Sequence, residues 1–281
     1  MPVALGDYQR VLRVIEPHRT DFTVRMKDFE HQIASLDLEL FNHVLSQCTD
    51  EDKRSLLALQ VAIRSAKSGY TYLEVGSYMG GSLQPYVVDP RCEKIISIDP
   101  RPSKLPDTRG IQEYADNSTE GMLAGLGRIP SANVKKIRSL EAGTETLRAA
   151  DVPERPDLCF VDGEHTEVAT LRDARFCLSV IQPDGCIAFH DANLVYLGID
   201  KFVKELTQFG RSFRPYVLPD SVFVIDLGAA SVGEAVPVRA RRAENYKAYL
   251  AGMIANDWYR YAYHLPIYHF LRRIRRLFPR F

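Results

Sequence analysis

The sequence predicts an α/β fold: a doubly wound, seven-stranded sheet of five parallel strands and a terminal antiparallel hairpin, with N-terminal helices and a C-terminal helical extension. Three observations carry this expectation. From Thr71 onward, short apolar runs alternate with helical segments (TYLEVG, KIISID, VKKIRS, DLCFVD and CIAFHD are the runs). Strands alternating with helices imply right-handed crossovers and a parallel sheet buried on both faces. The last two runs, SFRPYVLP and SVFVIDLG, are parted only around Asp220. That gap is too short for a crossover, so they must pair antiparallel.

Before the sheet, FEHQIASLDLELFNHVL spaces Phe29, Ile33, Leu36, Leu40 and Val44 as one helix. Thr49-Asp50 then caps a second helix that stops by Gly69. Between the strands, helices are expected around Gly81–Val88, Thr119–Leu126, Glu141–Ala150, Val168–Val180 and Leu197–Phe209. AASVGEAVPV, around 228–238, reads as a linker. The chain thus divides into N-terminal helices (1–68), a ligand-binding α/β domain (69–228), and a linker with a basic helical tail (229–281).

Composition narrows the class. Apolar residues make up 46% and charged residues 26%, ordinary for a globular protein. The net charge of zero hides an asymmetry: from Arg239 onward ten Arg/Lys face only Glu244 and Asp257. The five cysteines form no CxxC pair, which argues against a zinc ribbon or disulfide scaffold and for a reducing compartment. MPVALGDYQR lacks the apolar run of a secretion signal, and no window has the roughly 20 apolar residues of a spanning helix. A cytoplasmic protein is expected.

Two motifs carry chemistry. In TYLEVGSYMGGS, Glu74 ends a strand and Gly76, Gly80 and Gly81 lead into a helix, where backbone can approach a ligand closely. The spacing departs from the G-x-G-x-x-G dinucleotide fingerprint. Asp99 ends the next strand, beside that turn, where a carboxylate can accept from both hydroxyls of a ribose. Together these residues suggest a nucleoside-bearing ligand. In the second motif, FVDGEH places Asp162, Glu164 and His165 at the end of the fourth strand, and His190-Asp191 end the fifth. In a doubly wound sheet these ends open onto one crevice. Carboxylates with an imidazole suit Mg²⁺ or another divalent ion, which would bind an acceptor hydroxyl and lower its pKa.

EVGSYMGGS, the Asp99 strand end and the terminal hairpin resemble a class I S-adenosylmethionine-dependent methyltransferase, with a Rossmann-like sheet. VDGEH followed by IQPDGCIAFHDAN is similar to the branch of macrocin-type and cephalosporin-hydroxylase-like sugar O-methyltransferases. The likeness covers Leu56 to Leu227. It implies S-adenosylmethionine as cofactor, with Glu74, Gly76, Ser77, Tyr78, Gly80 and Ser82 at its methionine end. It further implies Asp99 on the ribose, Ser139 near the adenine, and Asp162 bordering the cofactor. It implies metal ligation by Asp162, His190 and Asp191, although relatives often carry two acidic residues or Asp-Asn where His190-Asp191 stands. His165 is the favoured proton acceptor, since an ordinary imidazole pKa of about 6.5 suits a general base; Glu164 is the alternative.

The acceptor implied is a small molecule or glycan bearing a hydroxyl. A nicotinamide-dependent oxidoreductase and a non-catalytic, pocket-bearing protein remain the competing classes. In the tail, IYHFLRRIRRLFPRF (267–281) alternates apolar and arginine positions. That pattern fits peripheral contact with an anionic membrane such as the inner membrane surface, or packing on the domain or on a second copy in a homo-oligomer. No basic, aromatic-bearing sheet face points to nucleic acid.

Overall fold

A computed structural model describes residues 22–107 and 110–264. Among the described residues nine strands are present: β1 (Tyr70–Val75), β2 (Cys92–Ile98), β3 (Lys104–Asp107), β4 (Gly110–Glu113), β5 (Ile137–Leu140), β6 (Leu158–Val161), β7 (Cys186–Phe189), β8 (Phe213–Val217) and β9 (Phe223–Leu227). Seven of them form one sheet in the order β5-β2-β1-β6-β7-β9-β8. The pairings β5–β2, β2–β1, β1–β6 and β6–β7 are parallel, while β7–β9 and β9–β8 are antiparallel. The expected five parallel strands and terminal hairpin are therefore present. The strand order reverses between β1 and β6, which opens the ligand crevice above their C-terminal ends.

The helices are α1 (Phe22–Ala34), α2 (Asp50–Ala66), α3 (Gln84–Val88), α4 (Thr119–Leu126), α5 (Glu167–Val180), α6 (Ala192–Gln208), α7 (Val236–Arg239) and α8 (Tyr246–His264). Strands β6, β7 and β9 are buried along their whole length. That accounts for their reading as continuous apolar runs rather than alternating ones. The two faces of β1 show the period of two directly. Tyr72 enters the layer built from Leu56, Leu59, Tyr86 and Phe160, whereas Leu73 and Val75 enter the opposite layer with Ile96, Phe189 and Phe202.

The structure differs from the sequence expectation at several elements. The helix expected across Phe29–Val44 ends at Ala34, and Leu36 takes a left-handed φ of 55°. A short 3₁₀ turn, Leu38–Phe41, follows, capped by the Asp37 side chain, which accepts from the Glu39 amide at 3.0 Å. The break lets Leu40 and Phe41 turn inward, and Gln84 Oε1 accepts from the amides of His43 and Val44, each at 2.9 Å. This anchoring brings residues 42–49 to the edge of the crevice.

No α-helix forms over Glu141–Ala150. The segment stays open, with a 3₁₀ turn only at Ala149–Asp151, because Thr144 turns its hydroxyl to Asp173 on α5. The stretch read as a linker is not free either: Val232 and Val238 are buried, and Arg242 pairs with Glu234 at 3.0 Å. The Lys104–Tyr114 loop is a two-stranded hairpin, β3 with β4, tied by Lys104–Glu113 at 2.6 Å. Strand α-to-β character is hard to read there because β4 is exposed at every position and shows no apolar alternation. Among the described residues, no helix is long and apolar enough to cross a membrane. The amphipathic pattern at 266–281 lies outside the described residues.

Candidate active site

Ladder bonds carry the sheet up to the crevice and fix each site residue one step beyond. The Gly76 amide donates to Ile98, the Asp99 amide to Leu140, the Asp162 amide to Val75 and the His190 amide to Val161, at 2.8–3.0 Å. Gly76 has φ +88°, and a Cβ there would stand 2.1 Å from the Asp162 carbonyl oxygen. Only glycine allows the β1 turn and the β6 end to close on each other this tightly. Tyr78 is also left-handed, at φ 42°, an uncommon backbone state for an aromatic residue. It is held by its own amide, which donates to Asp99 Oδ2 at 2.8 Å, and by its hydroxyl, which donates to Ala115 at 2.8 Å.

Two cavities open here. The first, about 170 Å³, runs between the β1 turn, Asp99, the Ala142–Glu145 segment and the Asp162–Glu164 turn. Asp99 is buried at its rim; its Oδ1 accepts from the Arg101 amide at 2.7 Å. Each carboxylate oxygen has a second acceptor site, so ribose hydroxyls can still be received. The second cavity, about 310 Å³, holds Asp162, His165, His190 and Asp191, walled by Leu45–Cys48 and by Gln112 and Tyr114. Gly76, Tyr78, Tyr114 and Asp162 line both cavities, so the two meet at the β1 turn.

The carboxylate–imidazole cluster is tight. His190 Nδ1 lies 2.8 Å from Asp162 Oδ1, and its Nε2 lies 3.2 Å from Asp52 Oδ2. Burial disfavours a charged ring, but Asp162 and Asp52, with Cys48, hold the His190 pKa well above its ordinary value. The charged form of the ring is thereby favoured. Burial would raise Asp162 as well, yet His190 and His165 outweigh it and keep this carboxyl below its ordinary range. Asp52 follows the same logic: burial pushes up, while His190, Thr49 and Ser221 bring it down to about 2. His165 Nε2 stands 3.4 Å from Asp191 Oδ2 and 3.6 Å from Asp162 Oδ1. Asp191 caps α6 with a left-handed backbone (φ 46°) and without a side-chain capping bond, which leaves its carboxylate turned to this cluster.

The expected site residues therefore separate into groups. Gly76, Tyr78, Asp99 and Asp162 line the first cavity, and Ser77, Tyr78, Ser82, Asp162, His165, His190 and Asp191 the second. Glu164 borders the first cavity and accepts from the Thr166 hydroxyl at 2.7 Å; His165 borders the second. Gly80 supports the turn at φ +79°. Glu74 is fully buried and binds the hydroxyls of Tyr72 (2.6 Å) and Ser82 (2.5 Å) beneath the crevice. Period two explains this: Glu74 shares the face of Tyr72, which looks into the α2–α3 layer. Ser139 pairs with Thr119 at 3.0 Å, and the cavity wall beyond β5 is formed instead by Ala142, Gly143 and Thr144. Both His190 nitrogens face carboxylates, so in this arrangement the ring braces Asp162.

Sequence reasoning missed Asp52 and Cys48. Asp52 was legible only as the acidic partner in a Thr49–Asp52 capping box, which it also forms. Its second role depends on a contact 138 residues away in the chain.

Donor chemistry fits both implied groups. Carboxylate oxygens of Asp162 and Asp191 with the His165 nitrogen lie within 4.8 Å of one another. Mg²⁺ is commonly held by one or two carboxylates, with water and substrate completing its shell. The first cavity has the Asp99 carboxylate at one end and Asp162 at the other, acceptors that fit the hydroxyls of an adenosine-bearing cofactor.

The comparisons with known proteins agree with this frame. Residues 73–192 match the family model described as a methyltransferase domain. The uncharacterized protein R132 of Acanthamoeba polyphaga mimivirus is 25% identical over 157 residues, and the match spans 53% of this chain and 66% of that protein. The solved structure of the O-methyltransferase NovP superposes with a TM-score of 0.52 at 12% identity, covering 74% of this chain and 99% of NovP. An O-methyltransferase from Bacillus cereus in complex with SAH gives a TM-score of 0.46 at 13% identity, covering 76% and 93%. Residues 73–192 are thus similar to a methyltransferase domain, and the sheet that carries them has the fold of the solved O-methyltransferase.

Proposed function

We propose that the protein transfers a methyl group from S-adenosylmethionine to a hydroxyl of a sugar, glycolipid or glycosylated metabolite, assisted by Mg²⁺ or another divalent cation. One observation carries the reading: the cavity beside Asp99 and the carboxylate–imidazole cavity meet at Gly76, Tyr78, Tyr114 and Asp162. A methyl donor in the first cavity and a hydroxyl in the second would then be neighbours.

In this reading Asp99 receives the ribose hydroxyls, and the Gly76–Gly80 turn lies against the methionine end. The cofactor supplies a methyl on a positively charged sulfur. Asp162 and Asp191 would hold the cation, which lowers the pKa of an acceptor hydroxyl and fixes its direction. His165, beside both carboxylates in the acceptor cavity, accepts the hydroxyl proton at Nε2. Glu164 is the weaker base because it faces the cofactor cavity and is bonded to Thr166. His190 positions Asp162, and Asp52 positions His190. The acceptor wall of Ser46, Gln47 and Gln112 offers amide and hydroxyl groups, which suit a polyhydroxylated partner better than a flat apolar ring.

Calorimetry with S-adenosylmethionine, with and without Mg²⁺, tests the reading. Binding of the cofactor at micromolar concentration is expected, and no heat of binding under either condition would sink it. Labelled methyl transfer to a panel of nucleotide sugars and glycosides, with Asp162→Ala as control, then separates catalysis from mere binding.

A further inference from the structure

The second cavity contains a donor set of different softness from the hard-cation pair. Cys48 Sγ, a carboxylate oxygen of Asp162 and a ring nitrogen of His190 lie within 4.8 Å of one another. Thiolate, imidazole and carboxylate are the three ligand types that bind zinc, with a fourth position left for water or substrate. Mg²⁺ has no use for the sulfur. Cys48 is buried yet lines the cavity, so an ion entering the crevice can reach it.

The surroundings of His190 strengthen the case. A histidine that binds zinc through one nitrogen usually donates its other N–H to a carboxylate, which fixes the ring. Here His190 Nε2 meets Asp52 Oδ2 at 3.2 Å. Asp52 is itself immobilised: its Oδ1 accepts from the Ser221 amide at 3.1 Å and the Ser221 hydroxyl at 2.9 Å. Its Oδ2 accepts from the Thr49 hydroxyl at 2.8 Å. That leaves Nδ1, on the Asp162 side at 2.8 Å, as the nitrogen an ion would take.

We infer that Cys48, Asp162 and His190 form a zinc site, with Asp52 as the carboxylate behind His190. Burial pushes the Cys48 thiol up, so without metal it stays protonated. Zinc entry forms Zn–S, Zn–N and Zn–O bonds and displaces the thiol proton together with any proton held on Nδ1. No electron changes hands. Asp162 belongs to this site and to the hard-cation site of the proposed function, so the two ions exclude each other there. The zinc site itself stands on its own ligands and does not need the methyl-transfer reading.

Cobalt(II) titration of the full chain tests it. One equivalent should produce the intense near-ultraviolet absorption of a thiolate–cobalt bond, displaced by zinc. Cys48→Ser and Cys48→Ala should both abolish the band, and chelator competition should show zinc bound at least about 100-fold more weakly by each. Asp52→Asn should weaken zinc by about 10- to 100-fold and keep the band, the size of effect expected of an outer partner. A wild-type protein with no band overturns the inference, as does a band retained in a folded Cys48 variant. If both variants unfold, X-ray absorption of zinc bound to wild-type protein decides: one sulfur at about 2.3 Å supports the site, and an all-nitrogen-and-oxygen shell overturns it. Cofactor calorimetry is read separately, so failure of either idea does not imply failure of the other.

Discussion

The two halves of the crevice are built on different physics. On the β1–β2 side, backbone does the shaping: Gly76 at φ +88°, Tyr78 at φ 42° and Gly80 at φ +79° make a turn that few residues could adopt. Asp99 lies at the rim there, and each of its oxygens steadies a backbone amide. On the β6–β7 side, side-chain charge does the shaping. Asp162, His165, His190 and Asp191 are joined there by Asp52 from α2; His190 lowers both Asp52 and Asp162, and they raise it in turn. The first half should fail by geometry and the second by electrostatics.

The sharpest break is Gly76→Ala. Its Cβ would meet the Asp162 carbonyl carbon at 2.6 Å as well as its oxygen at 2.1 Å, and both partners are backbone that cannot step aside. Cofactor binding should vanish in calorimetry and stability should fall by about 3 kcal/mol or more in denaturant titration. Next comes Asp162→Asn, which keeps the shape of the second half and removes its central charge. Methyl transfer should drop by about 100- to 1,000-fold at saturating cofactor, with the cofactor Kd changed far less.

A reciprocal pair sharpens the contrast. Asp52→Asn should lower turnover by about 10- to 100-fold, as loss of an outer partner does, and leave the cofactor Kd alone. Asp99→Asn should raise the cofactor Kd by about 10- to 100-fold through weaker hydrogen bonds to the ribose, and leave saturated turnover alone. If both variants move the same parameter, the division between the halves is wrong.

The smallest effect lies beneath the crevice and appears in stability against pH. Burial pushes the Glu74 carboxyl up to about 8, against the pull of Ser82 and Tyr72. Between its unfolded value near 4.5 and about 8, the folded chain keeps a proton that the unfolded chain has lost. Stability contributed by this group is therefore full below that window and declines as pH rises through it. Glu74→Gln should flatten the decline, measured as denaturation midpoints at pH 6 and pH 9; an unchanged slope would show that Glu74 is ionised in the folded state.

These halves also differ in how legible they were. Gly76, Gly80 and Asp99 sit in contiguous motifs whose meaning follows from strand-end position. The convergence of Asp162 with His190-Asp191 was readable because doubly wound sheets bring strand ends together. Glu74 was placed at the ligand because it stands in the motif, but alternation along β1 turns it into the core. Ser139 was assigned the adenine end; it pairs with Thr119, and the open Ala142–Glu145 segment lines the first cavity, where Thr144's bond to Asp173 on α5 competes with helix formation.

By itself, then, the amino-acid order determined the sheet, its parallel core and the strand ends that face the crevice, since period, run length and turn chemistry are local properties. Only the tertiary structure decided that Asp52 and Cys48 join the cluster, that His190 is braced between two carboxylates that favour its charged form, and that His165 and Glu164 look into different cavities. Those facts depend on contacts across 138 residues and more, and on burial, which sets the balance between desolvation and pairing. No window of sequence contains either.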